Sequence, residues 1–292
     1  MKQKILVIGA TGLIGYNVYR VAVDSRLDII GIARTSVYKG IDNLDIKNSA
    51  SLKHYIKRKR PSVIVNCAGV VGKMECNKKP EIAVEINEKA ALNIAEVCKR
   101  EDIKLVHLSS VIVHDGKKKV PYTEEDVPSE IEGNWYNITK ARAENFIRDC
   151  FPEFTIIRIG DTFGYGVNPN HMGGSIFRWA YNDLKKGSDV PAFKGLRSNW
   201  ILLSGVGKAI LETIRMEYEG ILNIGGEAIM TSDFFEKMIE KFKLPGRVII
   251  QDLPQDYQAN KEMDISKMKK LGIKVSTIED GLESLVPYYR IK

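Results

Sequence analysis

The feature that most constrains the fold of this chain is a glycine-rich stretch near its amino terminus, Gly9-Ala10-Thr11-Gly12-Leu13-Ile14-Gly15. It directly follows a short β-branched run, Lys4 to Ile8, and opens a pattern typical of a helix. In such a unit Gly9 permits a tight turn, Gly12 lets the backbone approach a pyrophosphate, and Gly15 allows close packing of helix on sheet. The helix N-terminus also favours an anion. We therefore predict a dinucleotide-binding turn whose cofactor-binding residues are Gly9, Thr11, Gly12, Leu13, Ile14 and Gly15.

The end of the second predicted strand, Asp28 to Ala33, indicates which dinucleotide is bound. Enzymes that use NAD commonly place a carboxylate there for the ribose 2′-hydroxyl. This chain instead has Arg34, and an arginine can hold a 2′-phosphate through two hydrogen bonds. An exposed arginine after a strand is the alternative, but the sequence favours NADP(H) over NAD(H). Further on, Asp45 with Ile46 could contact the adenine, or Asp45 could instead cap the following helix.

Alternating strand and helix patterns extend from the glycine-rich stretch to about residue 160. Parallel strands joined by helices produce this pattern, which predicts an α/β fold with a doubly wound parallel sheet, the Rossmann fold. After Gly160, irregular loops separate shorter elements. We therefore predict a dinucleotide-binding domain over residues 1–160 and a smaller C-terminal α/β substrate lobe over residues 161–292, with some segments returning to the Rossmann sheet. The later helices predicted in the first part are Ser51 to Arg60, Glu81 to Arg100 and Asn134 to Asp149.

Charge and cysteine content exclude several classes of partner. The net charge of +7 suits either nucleic acid or small phosphorylated ligands, but no helical pattern carries a basic stripe interleaved with aromatics, so we expect no nucleic-acid partner. The four cysteines show no zinc-type spacing, which predicts no metal site and favours a reducing compartment.

No apolar run approaches the ~18 residues that span a bilayer. The amino-terminal stretch superficially resembles a signal peptide, but glycines interrupt it, and we predict a cytoplasmic protein without membrane contact.

A tyrosine and a lysine four residues apart, Tyr136 and Lys140, provide candidate catalytic groups. On a helix these positions share a face. A lysine cation beside a phenol lowers the phenol pKa from about 10 towards neutrality. Such a phenol can protonate a carbonyl oxygen as a general acid. The pair is predicted to form the centre of an oxidoreductase site.

Residues that close two predicted strands complete this site. Ser110 follows the strand from Ile103 to Leu108, at the end that faces the ligand crevice of a doubly wound sheet. Its hydroxyl could bind the substrate oxygen, although a serine that caps a turn is common. Glycine turn, strand-end serine and the YxxxK pair in this order predict that Ser110, Tyr136 and Lys140 are catalytic. Cys67, most simply a small core residue, closes another apolar strand with two neighbours, and the expected cofactor contacts there are Cys67, Ala68 and Gly69.

Several stretches distributed over nearly the whole chain carry a resemblance to a known family. They are Pro61 to Gly69 (similar to "PDVVINCAA"), Pro80 to Asn87, His114-Asp115-Gly116 with Pro121 to Asp126 (similar to "FDG…PYTEED"), Ile157-Arg158 with Phe163-Gly164, and Met263 to Lys267 with Leu271-Gly272 (similar to "LDxSK…LG"). Through them the sequence resembles the extended short-chain dehydrogenases/reductases, and most the dTDP-4-dehydrorhamnose reductase branch.

The resemblance implies a role for each catalytic candidate. Tyr136 would be the proton donor, Lys140 would tune it and hold the nicotinamide ribose, and Ser110 would replace the family's Thr or Ser. The substrate would be a nucleotide-diphospho-4-keto sugar, reduced by hydride from the nicotinamide, with its nucleotide diphosphate over the C-terminal lobe. The resemblance also implies a possible homodimer.

One segment departs from the family pattern. Where the branch usually reads "STDYVFDG", this chain has Val111 and Ile112 in place of the Asp-Tyr pair. Val111 remains a predicted substrate contact, but it offers neither the acid of the sugar 4,6-dehydratases nor the cysteine of the GDP-fucose synthases. Simple reduction or 4-epimerisation is therefore expected. A third interpretation is a cofactor-binding regulatory subunit, like that of methionine adenosyltransferase.

Two further residues are candidates for substrate binding. Arg197 precedes an apolar strand and could clamp the substrate pyrophosphate, or it could be an ordinary surface arginine. His171 lies in a glycine-rich loop and could line the sugar pocket, or it could be a solvated loop histidine.

Overall fold

The computed structural model describes residues 3–151, 153–165, 176–254, 257–258 and 260–289 of the chain. Its strands are β1 (Lys4–Ile8), β2 (Asp28–Ala33), β3 (Ile41–Asn43), β4 (Val63–Asn66), β5 (Lys104–Ser110), β6 (Phe154–Ile159), β7 (Asp161–Phe163), β8 (Asp189–Phe193), β9 (Arg197–Leu202), β10 (Gly220–Ile224), β11 (Ala228–Met230) and β12 (Arg247–Gln251).

The helices follow the strands in the order expected of crossover connections. They are α1 (Leu13–Asp24), α2 (Ser49–Lys59), α3 (Lys73–Lys78), α4 (Pro80–Ala83), α5 (Ala90–Arg100), α6 (Trp135–Cys150), α7 (Ile176–Lys185), α8 (Leu203–Arg215), α9 (Thr231–Phe242), α10 (Ser266–Lys270) and α11 (Ile278–Tyr289). A π-helical stretch, Val84–Lys89, joins α4 to α5, and a 3₁₀ turn, Val111–Val113, follows β5.

The largest sheet has seven parallel strands in the order β10-β6-β5-β4-β1-β2-β3. The chain leaves β1 towards β2 and β3 on one side, and then returns to place β4, β5 and β6 on the other. The carboxyl ends of the strands open into a crevice at this reversal. The predicted doubly wound parallel sheet is confirmed.

Apolar side chains of the central strands alternate between two faces, and each face is covered by helices. On one face Val7, Val65 and Ile157 belong to a core cluster that includes residues of α1 and α8. On the other face Leu6 and Ile64 pack with α2, α5 and α6. Burial on both faces explains why these strands are continuous apolar runs in the sequence.

A third core cluster lies among the remaining elements of the second half. β11, β9 and β7 form a three-stranded sheet, and β12 pairs with β8. Phe163, Phe177 and Trp200 pack there with helices α7, α9 and α11, and the rings of Trp200 and Phe234 stack with centroids 3.8 Å apart. This cluster forms a smaller lobe, whereas α8 and β10 pack on the large sheet. The division at residue 160 stays a prediction.

The lengths of the helices bear on the membrane prediction. Among the described residues, no helix combines the length and apolar character needed to cross a bilayer. Within the same ranges, no group of three or more His, Cys, Asp and Glu side chains is placed to hold a metal ion.

Candidate active site

The glycine turn between β1 and α1 is held against two neighbouring strands. Gly9 has a φ of +79°, and a Cβ on it would lie 2.9 Å from the backbone of Ala68. The backbone N–H of Gly9 donates to the Ile32 carbonyl at 2.9 Å. A Cβ on Gly15 would lie 2.2 Å from the Gly9 carbonyl oxygen, so the helix start and the turn are in direct contact. Side chains at Gly9 and Gly15 would displace the turn. Because both positions are glycine, the turn stays in place and the N-terminus of α1 is open to a ligand.

A cavity of about 570 Å³ lies at the carboxyl ends of β1, β4, β5 and β6. It brings together residues that are far apart in the sequence. The predicted site residues that line it are Gly12, Leu13, Ile14, Cys67, Ala68, Gly69, Ser110, Val111, Tyr136 and Lys140. Gly9, Thr11 and Gly15 belong to the turn but do not line the cavity. Their role, like that of the lining residues, stays a prediction.

The predicted adenosine contacts lie outside this cavity. Arg34 is exposed at the end of β2, and Ile46 is buried in the core. The Asp45 carboxylate accepts from the Lys47 backbone N–H at 3.0 Å. The side chain that caps α2 is Asn48, which accepts from the Ser51 N–H at 3.0 Å. The alternative interpretation of Asp45 as the helix cap is therefore wrong, because Asn48 stands directly before the first turn.

Tyr136 lies in the first turn of α6, where Asn134 caps the helix by accepting from the Asn137 N–H at 3.1 Å. Burial raises the pKa of Tyr136 to about 12, although a hydrogen bond with Ser110 acts in the opposite direction. The phenol is therefore protonated at neutral pH, as a proton donor must be. The Ser110 hydroxyl also accepts from the Ile112 N–H at 3.3 Å, so it caps the turn after β5 as well.

Lys140 lies one helical turn after Tyr136, and its effect on the pKa of Tyr136 differs from the prediction. Its Nζ donates to the carbonyl of Leu108. Burial lowers the pKa of Lys140 to about 8, while the Glu144 carboxylate acts to raise it. We expected Lys140 to lower the pKa of Tyr136 towards neutrality, but the pKa of that phenol is raised. The reason is that burial disfavours the phenolate more strongly than the hydrogen bond with Ser110 favours it.

A buried charged pair holds α6 against the sheet behind the cavity. Arg158 of β6 donates to Glu144 of α6 at 2.9 Å, and both side chains are fully buried. Glu144 also accepts from the Ser109 hydroxyl at 2.6 Å. Arg158 further donates to the Thr123 and Asp126 carbonyls at 3.0 and 2.8 Å. The network fixes the helix that carries Tyr136 relative to the strand that carries Ser110. Sequence analysis missed it, because a buried ion pair has no local pattern.

A second unpredicted residue, Asn87, supports the loop after β4. Its amide accepts from the Val70 N–H at 2.7 Å and donates to the Val70 carbonyl at 3.0 Å. It also donates to the Thr139 hydroxyl of α6 at 3.2 Å. Asn87 lies in the π-helical stretch and is 1% exposed. It therefore connects the cavity wall at Val70 with the helix that carries the catalytic candidates.

The structure separates the predicted substrate residues. Val111 lines the cavity beside Ser110. Arg197 lines a neighbouring cavity of about 770 Å³, which shares Tyr257 and Gln258 with the first. Its guanidinium donates to Glu262 at 2.9 Å and to the Ala228 carbonyl at 2.7 Å. The substrate role of Arg197 stays a prediction. His171 lies outside the described residues.

Comparison with known proteins identifies the family. Residues 3–184, more than half of the chain, match the family model described as the RmlD substrate binding domain. The chain belongs to this family. It is the dTDP-4-dehydrorhamnose reductase family within the extended short-chain dehydrogenases/reductases, so the predicted resemblance is confirmed.

Three proteins similar to this RmlD-family chain carry the name of a reductase. A probable low-salt glycan biosynthesis reductase of Haloferax volcanii is 25% identical, with 96% of each chain covered. A dTDP-4-keto-6-deoxy-D-glucose reductase of Streptomyces niveus is 33% identical over 58% of this chain and 56% of its own. The crystal structure of a hypothetical dTDP-4-dehydrorhamnose reductase from Sulfolobus tokodaii has a TM-score of 0.82 and 30% identity, covering 96% of this chain and 99% of that one.

The family and the arrangement of the cavity lead to the same class of protein. The chain is an NAD(P)-dependent oxidoreductase, as predicted from the order of its motifs. Its relatives support a reaction of the sugar-nucleotide reductase or epimerase kind with a nicotinamide cofactor.

Proposed function

We propose that this RmlD-family protein uses NADPH to reduce the keto group at C4 of a nucleotide-diphospho sugar. The observation that carries the proposal is the single cavity that joins the start of α1 with Ser110, Tyr136 and Lys140. A pyrophosphate at the helix start and a keto group beside Tyr136 would both lie at the carboxyl edge of one sheet.

The side chains divide the work of the reduction. Bound NADPH supplies a hydride to the carbonyl carbon. Tyr136 holds a proton at its phenolic oxygen and passes it to the carbonyl oxygen, which becomes the hydroxyl of the product. Ser110 donates a hydrogen bond to the same oxygen and orients it. Lys140, held by the Leu108 carbonyl, would present its ammonium to the nicotinamide ribose of the bound cofactor.

The preference for NADPH rests on the residues that surround the end of β2. Arg34 forms no hydrogen bond or ion pair with the residues that the structure describes, so its guanidinium is available to a 2′-phosphate. The neighbouring carboxylate, Asp42 of β3, is already engaged by the Tyr55 hydroxyl at 2.8 Å and by Lys59 at 3.0 Å. The position directly after β2 therefore presents a guanidinium, where NAD enzymes commonly place a carboxylate.

The second cavity is the proposed binding site of the nucleotide diphosphate of the substrate. It shares the lining residues Tyr257 and Gln258 with the catalytic cavity, and its lining includes Arg197 and the basic segment Lys117-Lys118-Lys119. Phosphates placed there would meet positive charge while the sugar extends towards Tyr136. The ion pair with Glu262 holds the Arg197 side chain at the cavity wall. This position suits an arginine that binds the diphosphate of the substrate.

The proposal is tested by NADPH oxidation, followed by absorbance, with dTDP-, UDP- and GDP-linked 4-keto-6-deoxy sugars. We expect oxidation that depends on one of these sugars. The matched control is Tyr136→Phe, which removes the transferred proton and leaves the ring, and it should lower turnover by about 10²- to 10⁴-fold. NADPH binding should be unchanged. Oxidation that survives in Tyr136→Phe, or no oxidation with any sugar, would contradict the proposal.

A further inference from the structure

Asp161 and Lys261 are among the charged side chains that line the catalytic cavity and take no part in the proton transfer described above. Asp161 begins β7 and pairs in parallel register with Trp200 of β9. Lys261 forms a parallel bridge with Ser198, two residues earlier on the same strand. Residues paired with positions i and i+2 of one strand project to the same face. The two side chains therefore emerge together from one wall of the cavity.

The position of Lys261 is fixed from two directions. The adjoining backbone is held by Asn199, whose side-chain oxygen accepts from the Met263 N–H at 2.7 Å. The Lys261 ammonium donates to the Tyr257 hydroxyl at 3.1 Å and lies 4.8 Å from the centre of that ring. An ammonium has three donors, and within the described ranges Tyr257 is its only hydrogen-bond partner. Donors are therefore available to a molecule in the cavity.

The charge of Lys261 is maintained by its surroundings. Burial would lower the pKa of the ammonium, but the Asp161 carboxylate and Tyr257 outweigh it and leave the pKa above its ordinary value. Asp161 also acts to raise the pKa of Tyr136. The carboxylate is thus close to both groups. Among the described residues it forms no ion pair within 4.0 Å, with Lys261 or any other cation.

We infer that Asp161 and Lys261 select the sugar ring of the substrate by binding a pair of neighbouring hydroxyl groups. Asp161 accepts a hydrogen bond from one hydroxyl, and Lys261 donates to the oxygen of the next. Both contacts are charge-assisted and therefore strong. The inference rests on the proposed function, since it assumes that a sugar lies beside Tyr136.

The net charge of the pair determines which sugars are accepted. One anion and one cation together complement a neutral diol. A uronate would bring a carboxylate close to Asp161, and an amino sugar would bring an ammonium close to Lys261. Each charged sugar gains one attraction but meets one repulsion and must lose its hydration on entering the cavity. The site is therefore specific for neutral, hydroxylated rings, with Val111 as an apolar contact beside them.

The experiment compares three ligands that share a nucleotide and differ in ring charge: UDP-glucose, UDP-glucuronate and UDP-glucosamine. Their binding to the NADP-saturated full-length protein is measured by calorimetry, with UDP alone as reference. We expect wild type to bind UDP-glucose about tenfold or more tightly than either charged sugar. Asp161→Asn should weaken UDP-glucose and strengthen UDP-glucuronate. Lys261→Met should weaken UDP-glucose and strengthen UDP-glucosamine.

Controls separate the inference from its alternatives. Glu75→Gln removes a carboxylate from another part of the same cavity and should leave the order of the three sugars unchanged. UDP and NADPH should bind all variants equally. The inference would be overturned if the sugar preferences of Asp161→Asn and Lys261→Met did not change in opposite directions. It would also be overturned if these variants lost as much affinity for UDP as for the UDP sugars. Either result would leave the proposed function intact. A wild type that binds NADPH and UDP but none of the three UDP sugars would overturn the inference, whereas the proposed function is contradicted only when NADPH oxidation also fails with the dTDP-, UDP- and GDP-linked 4-keto sugars.

Discussion

The same burial shifts the two ionisable groups of the catalytic helix in opposite directions. It raises the pKa of Tyr136 to about 12 and lowers the pKa of Lys140 to about 8, because it disfavours the charged form of each. At neutral pH both groups therefore hold their protons. The tyrosine can donate, and the lysine is cationic but close to losing its charge.

This leads to a prediction for the pH dependence of reduction. Lys140 is mostly protonated below pH 8 and mostly neutral above it, so kcat/KM should fall as the pH rises through about 8. The measurement is a pH profile of NADPH oxidation at low sugar concentration. In Lys140→Arg, whose guanidinium keeps its charge, the falling limb should move to higher pH. A flat profile between pH 7 and 9 in the wild type would exclude Lys140 as the titrating group.

Arg34 allows a second prediction at the level of a single residue. Arg34→Ala should weaken NADPH about 10- to 100-fold, the loss of charge-assisted hydrogen bonds, and leave NADH nearly unchanged. The measurement is the Kd of each cofactor by fluorescence titration. The matched control is Arg100→Ala, which removes an exposed arginine from the end of α5, ahead of β5, whereas Arg34 follows β2. Equal losses for both cofactors in Arg34→Ala would refute the contact with the 2′-phosphate.

At the level of elements, one helix crossing joins the two halves of the sequence. Helix α8 lies against α1, and the two helices approach closely at Gly207, where a Cβ would lie 2.6 Å from the Asn17 carbonyl oxygen. Asn17 in turn donates to the Leu13 carbonyl at 2.8 Å. The crossing therefore supports the helix whose N-terminus is proposed to receive the pyrophosphate.

Two alanine substitutions in α8 test this contact. Gly207→Ala should destabilise the protein by about 1–3 kcal/mol, because the new methyl group forces the helices apart. Gly205→Ala, on the same helix, has its nearest neighbour at 3.8 Å and should be neutral or stabilising by about 0.4–1 kcal/mol. Urea unfolding measures both values. Similar effects of the two substitutions would mean that the crossing is not closely packed at Gly207.

The helix before β5 shows how tertiary contacts change an element. Its periodicity predicts a continuous helix from Glu81 to Arg100, but the structure contains α4, a π-helical stretch and α5. The π-helical stretch carries Asn87, whose three hydrogen bonds connect Val70 and Thr139. A π turn alters which residues face the core, and its partners are distant in sequence.

At the level of the whole molecule, the core of the large sheet uses both halves of the chain. Leu222 and Ile224 of β10, with Val206 and Ile210 of α8, belong to the same buried cluster as Val7 of β1. All of these residues follow position 160 except Val7. The sheet therefore lacks an edge strand and a covering helix when the second half is removed.

A fragment of residues 1–160 tests the consequence. We expect it to show no cooperative unfolding transition and no NADPH binding, since the apolar surface normally covered by α8 would be exposed to water. The measurement is urea unfolding followed by circular dichroism, beside the full chain under the same conditions. A fragment that unfolds cooperatively and binds NADPH would show that residues 1–160 form an autonomous domain.

Sequence analysis predicted the parts of this protein that depend on local pattern. The glycine turn, the parallel alternation and the YxxxK spacing predicted the Rossmann sheet and the oxidoreductase class, because neighbouring residues create those signals. It also placed Ser110 at a strand end, where the structure has it near Tyr136.

The way in which distant residues combine became visible in the folded protein alone. Lys261 and Asp161 are one hundred positions apart, yet β9 places them on one wall of the cavity. Glu144 and Arg158 carry no motif, yet they form the buried pair behind the site. The pKa of Tyr136 was misjudged for the same reason, since burial is a property of the packed chain and not of its neighbours in sequence. Local patterns specify elements, whereas desolvation and long-range pairing exist only after those elements have packed.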